Sequence, residues 1–232
     1  MDGETESMRT MTRQIHSRVS YTRERNGAGE LAIADATYGP YGRGARVTYT
    51  IVDSPFGHIL VAATARGVCW VGIHESGARL EAEVRDDFHA AELMRDDEAV
   101  RGLACNIVDY INGETHELDL PLDIRATPFQ RGVWRELCAI PWGTTRSYGE
   151  IARRLGRPGA SRAVGHANGS NPVAIVIACH RAIGANGTLT GYRWGLECKR
   201  RLLDQERALT QSSLPRMAGR KRAGILRDGR VE

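Results

Sequence analysis

The sequence lacks any apolar run that approaches the roughly 18 residues a membrane-spanning helix requires. Its first residues, MDGETESMRTMTRQIHSR, include no apolar segment, so we do not expect a secretory signal. These two absences argue against a membrane protein and against a secreted one. We therefore expect a cytoplasmic protein that makes no contact with membranes.

Cysteine is present in an odd number and at wide intervals. The histidines and cysteines show no zinc-finger spacing, and no CxxC pair occurs among Cys69, Cys105, Cys138, Cys179 and Cys198. This pattern is not typical of a disulfide framework or of a structural metal site. We expect free thiols in a reducing compartment and no bound metal.

The charge of the chain is distributed unevenly, although its hydrophobic content of 41% is ordinary for a globular protein. Residues 1–126 carry a net charge of −8, residues 127–208 carry +8, and residues 209–232 carry +4. A basic half predicts a polyanionic partner, and nucleic acid is the commonest one. A chance excess of surface arginine is the alternative that charge alone leaves open.

The first half of the chain has the pattern of a small α/β domain. Residues 1–46 are polar and glycine-rich, which predicts a disordered or poorly ordered extension. Three strand-like runs follow, VTYTIVD, HILVAAT and VCWVGI, with turn sequences between them. A helix is predicted over AVRGLACNIVDYING, and LDLPL alternates like a further strand. We place this first domain at residues 47–124.

The second half has the pattern of a mostly helical domain, which we place at residues 125–208, before a basic disordered tail at 209–232. TPFQ predicts a capping box at Thr127, and Ser147 with Glu150 predicts a second one. A short helix should follow Ser147, and another should cover ASRAVGHA. Two short helices within a basic region have the outline of a helix-turn-helix, although many unrelated helix pairs share that outline.

The run VAIVI predicts a buried strand that delivers Cys179 and His180 to its end, directly before a glycine-rich loop. A cysteine beside a histidine at such a point is well placed to act as a nucleophile. Since a thiol has an ordinary pKa of about 8.5, it needs a nearby base or positive charge for activation. A structural core cysteine next to a surface histidine is the alternative.

The motifs around Cys179 resemble those of the O6-alkylguanine-DNA alkyltransferases, also called methylated-DNA–protein-cysteine methyltransferases. In the family's order and spacing stand FQRGVW, IPWGTTRSYGEIA, SRAVGHANGSNP, ACHR, GTLTGYRWG and ECKRRLLDQE. The resemblance covers residues 47–207 and is most marked to the C-terminal half of the bacterial adaptive-response protein. It implies an α/β (α+β) protein, in which a small ribonuclease-H-like sheet domain precedes a mostly helical domain with a winged helix-turn-helix-like element.

The family's catalytic roles are carried over to matching positions of this sequence. The resemblance implies that Cys179 accepts the alkyl group, that His180 takes the thiol proton through a water, and that Glu206 orients the histidine. It implies that Asn171 braces the turn before Cys179. In the substrate pocket it places three residues, Tyr192, Ala182 and Lys199, the last as a support for the active-site loop.

The resemblance also implies a DNA partner, namely double-stranded DNA that contains O6-alkylguanine. Arg162 matches the residue that fills the gap left by the extruded base, and Tyr148 matches the tyrosine that crowds the adjacent phosphate. We also assign Ser161, Ala163 and Arg181 to DNA binding. The thioether formed on Cys179 has no leaving group, so we expect each molecule to act once. We also expect a monomer that needs no cofactor.

The sequence departs from the family pattern at two positions beside the nucleophile. Ala178 replaces the usual proline, which we expect to loosen Cys179 and lower the rate of transfer without abolishing it. Ala182 replaces a valine. Residues 1–46 contain no cysteine, so the four-cysteine zinc domain of the adaptive-response protein is not expected here.

Two functions of other classes compete with this interpretation. A non-catalytic protein that flags alkylated bases for other repair factors would lack the cysteine, whereas this chain has Cys179 with His180 and Glu206. A transcription regulator would need base-reading side chains on the second short helix. Ala160, Ala163, Gly165 and Ala167 offer almost none.

Overall fold

The structure is a computed structural model that describes residues 33–116 and 118–213. A six-stranded sheet of order β1-β6-β4-β3-β2-β5 forms its first half. Its strands are β1 (Ile33–Asp35), β2 (Arg46–Ser54), β3 (Gly57–Thr64), β4 (Gly67–His74), β5 (Glu92–Arg95) and β6 (Leu122–Ile124).

The meander of hairpins predicted from VTYTIVD, HILVAAT and VCWVGI is confirmed. Strands β2, β3 and β4 pair antiparallel in sequence order. The two hairpin turns use Gly57 at φ 98° and Gly67 at φ 156°, conformations that residues with a Cβ rarely adopt. Strands β1, β5 and β6 join this meander by parallel pairing.

Helices cover both faces of the sheet, because β3 is apolar on both of its sides. Leu60 and Ala62 pack with α1 (Gly77–Asp87) in one cluster. Ile59 and Val61 face the opposite way, toward α2 (Asp97–Asn112) and the second half of the chain. The sheet is therefore the middle layer of the first domain.

The second half is mostly helical. The two predicted capping boxes are confirmed, with Thr127 capping α3 and Ser147 capping α4. Its elements are α3 (Pro128–Cys138), β7 (Arg146–Ser147), α4 (Tyr148–Arg154), α5 (Ser161–Gly169), a 3₁₀ turn (Cys179–Arg181), β8 (Ala182–Ile183) and α6 (Leu196–Ser213).

A shared core joins the two halves. Trp134 of α3 and Ile107 of α2 belong to the same buried cluster. The Val71 amide donates to the Pro172 carbonyl at 2.9 Å, and the Ala174 amide donates to the Val71 carbonyl at 3.2 Å. Strand β4 thus continues the sheet's hydrogen bonding into the segment that leads to Cys179.

The prediction of a buried strand at VAIVI is wrong. The segment is buried, but it forms isolated bridges and a turn, and Ile175 has φ of 70°. A continuous apolar run indicates burial, and it does not separate a strand from a buried loop. The loop folds back on itself, so Cys179 begins a 3₁₀ turn.

The expected start of order near Val47 is also wrong. Residues 33–35 pair with β6, and Thr37 and Tyr38 hydrogen bond to Asp123. These partners lie about 85 residues away in sequence, where composition gives no signal of them. Helix α6 likewise continues to Ser213, past the predicted boundary at 208. The rest of the predicted extension and tail, 1–32 and 214–232, lies outside the described residues.

Three further differences concern element positions. Strand β6 lies at Leu122–Ile124, later than the alternation in LDLPL suggested, and α1 and β5 were not predicted.

Within the described residues, no helix is long and apolar enough to cross a membrane.

Candidate active site

Cys179 lies at the floor of a cavity of about 690 Å³. Of the cysteines in the described part of the chain, it is the one that lines this cavity, and its residue surface is 5% exposed. The cavity walls come from α4, α5 and the segment between β8 and α6. A guanine base could enter such a space, whereas a duplex could not.

Asn171 shapes the loop that presents Cys179. Its side-chain amide donates to the carbonyls of Val173 at 3.3 Å and Ile177 at 3.0 Å. Its side-chain oxygen accepts from the Val173 amide at 3.0 Å. A buried amide with three backbone partners holds both ends of the loop.

Opposing effects act on the Cys179 thiol. Burial raises its pKa, because a thiolate is disfavoured away from water. The Asn171 side chain, the positive charge of Lys199 and the backbone amides of Cys179 and His180 lower it. Burial prevails, so the free thiol is the main form at neutral pH, in an environment already arranged to stabilise the anion.

His180 is arranged as a neutral base. Its Nε2 lies 2.8 Å from Glu206 Oε1, and its Nδ1 is buried without a hydrogen-bond partner. Burial lowers the pKa of His180 despite the adjacent carboxylate. Because Glu206 can only accept, Nε2 carries the proton and Nδ1 keeps a free lone pair. The lone pair makes Nδ1 a proton acceptor.

Glu206 is a buried carboxylate with several donors. Besides His180, it accepts from Arg181 Nε at 3.1 and 3.0 Å and from the Gly143 amide at 3.1 Å. Burial alone would raise its pKa, but the hydrogen bonds and charges of His180 and Arg181 hold the pKa at about 2. Glu206 is therefore ionised across the physiological range.

The assignment of Arg181 to DNA binding is wrong. Its residue surface is 4% exposed, and its guanidinium donates to Glu206, to the Tyr110 hydroxyl at 2.6 Å and to the Ile140 carbonyl at 2.8 Å. A guanidinium so enclosed cannot reach a phosphate. Its charge neutralises Glu206, which lies 25 residues later in the chain.

Lys199 and Ala182 lie behind the cavity and do not line it. The Lys199 ammonium donates to the carbonyls of Ala182 at 2.6 Å and Thr190 at 3.0 Å. Burial lowers the pKa of Lys199 to about 8, although the nearby Cys179 acts in the opposite direction. These two bonds tie the Lys199 side chain to segments on both sides of the glycine-rich loop. Ala182 is fully buried and does not line the cavity, contrary to its predicted place in the pocket.

Tyr192 and Tyr148 both line the cavity. Tyr192 has a buried hydroxyl without a hydrogen-bond partner. Tyr148 accepts a hydrogen bond from the Thr190 hydroxyl at 3.2 Å. The structure thus brings both predicted tyrosines to the space above Cys179.

The rim of the cavity is basic and lies on the predicted helix pair. Ser161 and Arg162, at the start of α5, line the opening, and the side chains of Arg162 and Ala163 are exposed. Three more exposed arginines lie on α4 or directly after it, Arg153, Arg154 and Arg157. Of these four arginines, Arg162 is the one that lines the cavity. Exposed cations on a helix pair beside a cavity are suited to bind a phosphate backbone.

Sequence reasoning missed four residues that complete the site. Tyr110 and Trp142 enclose the Arg181–Glu206 pair, and Trp142 Nε1 donates to the Glu206 carbonyl at 3.1 Å. Arg193 and Trp194 line the cavity. Arg193 and Trp194 belong to the motif GYRWG, which was a signal for both residues. Tyr110 had none, because it belongs to the other domain.

Comparisons with known proteins give a consistent result. Residues 47–124 match the ribonuclease-like domain of 6-O-methylguanine DNA methyltransferase, and residues 128–208 match its DNA binding domain. A methylated-DNA–protein-cysteine methyltransferase of Mycolicibacterium paratuberculosis is 59% identical over 45% of this chain. That alignment spans 64% of the relative's length, slightly less than two thirds.

Longer alignments give the same picture. A methylated-DNA–protein-cysteine methyltransferase of Methanosarcina acetivorans is 43% identical over 68% of this chain and 97% of its own. The crystal structure of Mycobacterium tuberculosis OGT in complex with DNA is 42% identical. It covers 70% of this chain and 94% of that one, with a TM-score of 0.59. In the described residues, no three His, Cys, Asp or Glu side chains come together as a metal site.

Proposed function

The chain belongs to the 6-O-methylguanine DNA methyltransferase family, and from this premise we propose that it repairs DNA by moving an alkyl group from O6-alkylguanine to Cys179. The observation that carries the proposal is the position of Cys179. Cys179 lines a cavity of about 690 Å³ that is large enough for a guanine base, and it adjoins in sequence a buried histidine with a free lone pair. The Lys199 ammonium is near enough to lower the pKa of the thiol.

The transfer is a displacement at carbon. The thiol proton passes through one water to His180 Nδ1, and the sulfur attacks the alkyl carbon. The carbon–sulfur bond forms as the bond from that carbon to guanine O6 breaks. The electron pair stays on the purine, which takes up a proton from water and remains in DNA as guanine, while His180 returns the thiol proton to water. Glu206 stabilises the imidazolium and holds its orientation.

The role of Arg181 in this proposal is to position Glu206. Its guanidinium keeps the carboxylate ionised and holds it within 2.8 Å of His180. Because Arg181 already neutralises part of the charge of Glu206, His180 remains neutral until the thiol releases its proton. The arrangement therefore keeps a proton acceptor available until the single transfer takes place.

Base extrusion is required because the alkyl group of a stacked, paired guanine cannot reach a buried sulfur. We assign Arg162 to the gap in the duplex and Tyr148 to the phosphate beside the extruded nucleotide. Both lie at the mouth or the wall of the cavity. The small side chains of Ser161 and Ala163 let α5 approach the sugar-phosphate backbone of the DNA closely. Binding should depend on phosphate contacts more than on sequence.

The transfer needs no cofactor, and each molecule should act once, as a monomer, on double-stranded DNA in the cytoplasm. The thioether product cannot be displaced by water. A non-catalytic lesion-binding protein is the second candidate that the sequence raised. The presence of Cys179 in the cavity lining, next in sequence to the proton acceptor His180, favours the catalytic one.

Intact-mass spectrometry after incubation with O6-methylguanine DNA tests this proposal. We expect the addition of one methyl group per molecule, on Cys179, and none on Cys179→Ala. Cys105→Ala is the matched control, since this half-exposed cysteine lies in the first domain and should leave methyl uptake unchanged. An unmodified wild-type protein, or repeated turnover by one molecule, would refute the proposal.

A further inference from the structure

The cavity has an outer wall made of residues 190–194, which carries no helix or strand. A turn from the Gly195 amide to the Tyr192 carbonyl closes one end of this outer wall. The other end is held by Lys199, which donates to the Thr190 carbonyl. Between these two points, the segment is held by side-chain contacts with the sheet domain.

Arg193 reaches from the outer wall to α1 of the sheet domain. Its Nη2 lies 2.7 Å from Asp87 Oδ2 and 3.5 Å from Glu83. The same Asp87 oxygen accepts from Trp70 Nε1 at 2.7 Å. Because Trp70 is fully buried in the sheet domain, the carboxylate that binds Arg193 is itself held in place.

Aromatic packing reinforces the ion pair. The Arg193 guanidinium lies 5.1 Å from the ring centre of Trp194 and 5.6 Å from that of Trp70. The two indole rings meet edge to face at 5.5 Å. The Arg193 side chain, 33% exposed, is thus in contact with two rings and two carboxylates.

The sheet domain also has a seat for Trp194. A Cβ at Gly72 of β4 would lie 2.4 Å from the Trp70 ring and 2.6 Å from the Trp194 ring, closer than real contacts allow. Only glycine leaves room for the indole to rest on the strand at this point. The packing of Trp194 on Gly72 does not depend on the ion pair between Arg193 and Asp87. Both contacts hold the outer wall against the sheet domain.

We propose that Asp87 is a positioning residue for the alkyl-acceptor site, which holds the outer wall of the cavity through Arg193. The sheet domain then contributes to guanine binding, although none of its described residues lines the cavity. The inference rests on the proposed function for its kinetic consequence, whereas its structural consequence can be measured without any transfer.

The first measurement is cleavage by trypsin between Arg193 and Trp194, followed by mass spectrometry of the full-length protein. In Asp87→Asn the ion pair is lost, and we expect cleavage at this bond to be about five-fold faster, because a less firmly held segment opens more often. Asp86→Asn is the matched control. It removes the same charge from the neighbouring, exposed position of α1.

The second measurement is methyl transfer from free O6-methylguanine, a probe that avoids any effect on DNA binding. We expect Asp87→Asn to raise the half-saturating concentration about five-fold, with a smaller change in the rate at saturation. Glu83→Gln should give a smaller shift, because its oxygen lies farther from Arg193. A purely structural defect would lower the rate at saturation as well.

The inference is refuted if Asp87→Asn matches Asp86→Asn in both cleavage and half-saturation. If the wild-type protein takes up no methyl group from DNA or from the free base, the proposed function fails. The cleavage comparison still decides whether Asp87 holds the outer wall.

Discussion

At Cys179, burial and activation act in opposite directions. Burial shields the thiol from solvent and raises its pKa, while Lys199 is the charged side chain that lowers it. Lys199 has a pKa of about 8, so it remains mostly protonated at pH 7. Its ammonium group therefore both supports the loop and favours the thiolate.

Lys199→Gln should slow methyl transfer at pH 7 about ten-fold, the effect of raising the pKa of Cys179 by about one unit. Removal of the positive charge disfavours the thiolate, so the rise of the rate with pH should move to higher pH. The measurement is the pH dependence of single-turnover transfer. Arg200→Gln, which removes a charge from the exposed neighbour, should keep the wild-type profile. An unshifted profile in Lys199→Gln would show that the charge does not act on Cys179.

The chemistry-bearing residues were predictable from the sequence, whereas their surroundings were not. Cys179, His180, Asn171 and Glu206 were all predicted, and the structure brings them together. Arg181 was wrongly assigned to DNA binding because an arginine in a basic region is expected to be a surface charge. Its partners Glu206 and Tyr110 lie 25 and 71 residues away, and no local pattern reports such pairings.

At the scale of elements, local chemistry predicted boundaries well wherever it was strong. The capping boxes located the starts of α3 and α4, since Thr127 and Ser147 each bond the amide three residues on. The loop at residues 173–177 was wrongly predicted to be a strand. Its course depends on Asn171 and on pairing with Val71, contacts that hydrophobicity alone does not specify.

The same loop bears on Ala178, where the family has proline. Ala178 has φ of −73°, close to the value that a proline ring imposes. Its backbone amide faces the Cys138 sulfur, a weak acceptor, so little is lost when that amide is removed. The backbone is thus already in the conformation that proline would favour.

Ala178→Pro should therefore raise the free energy of unfolding, by about 0.5–1 kcal/mol, because proline restricts the unfolded chain. Urea denaturation measures the change, and methyl transfer should be at least as fast as in the wild type. Ala174→Pro is the matched control in the same loop. It should destabilise the protein, because the Ala174 amide donates to Val71. Destabilisation by both substitutions would show that the loop does not tolerate proline at 178.

At the scale of the whole molecule, the two halves differ in charge and share a core. The first half is acidic and the second basic, while Ile107, Trp134 and Leu202 belong to one buried cluster. The Arg181–Glu206 pair lies where these halves meet, since Tyr110 of α2 bonds Arg181. Loss of this pair should therefore affect the stability of both halves together.

Glu206 predicts how stability depends on pH. Its pKa in the folded protein is about 2, below the ordinary value of about 4.3. A lowered carboxyl pKa stabilises the folded state above the unfolded pKa, and this contribution is lost as the pH falls from about 4.5 toward 2. For this buried group the linked free energy is about 3 kcal/mol. Urea denaturation between pH 7 and pH 2.5 measures most of this free energy, because its loss is complete only below pH 2.

A comparison of two variants isolates this contribution. Glu206→Gln should be less stable at pH 7, because it leaves Arg181 as a buried charge without a carboxylate, and its stability should vary less between pH 4.5 and 2.5. Glu75→Gln removes a carboxylate from an exposed position and should keep the wild-type pH dependence. Since the halves share a core, fluorescence and amide exchange should report one transition for both. Separate acid transitions would mean that the Arg181–Glu206 pair stabilises only the helical half.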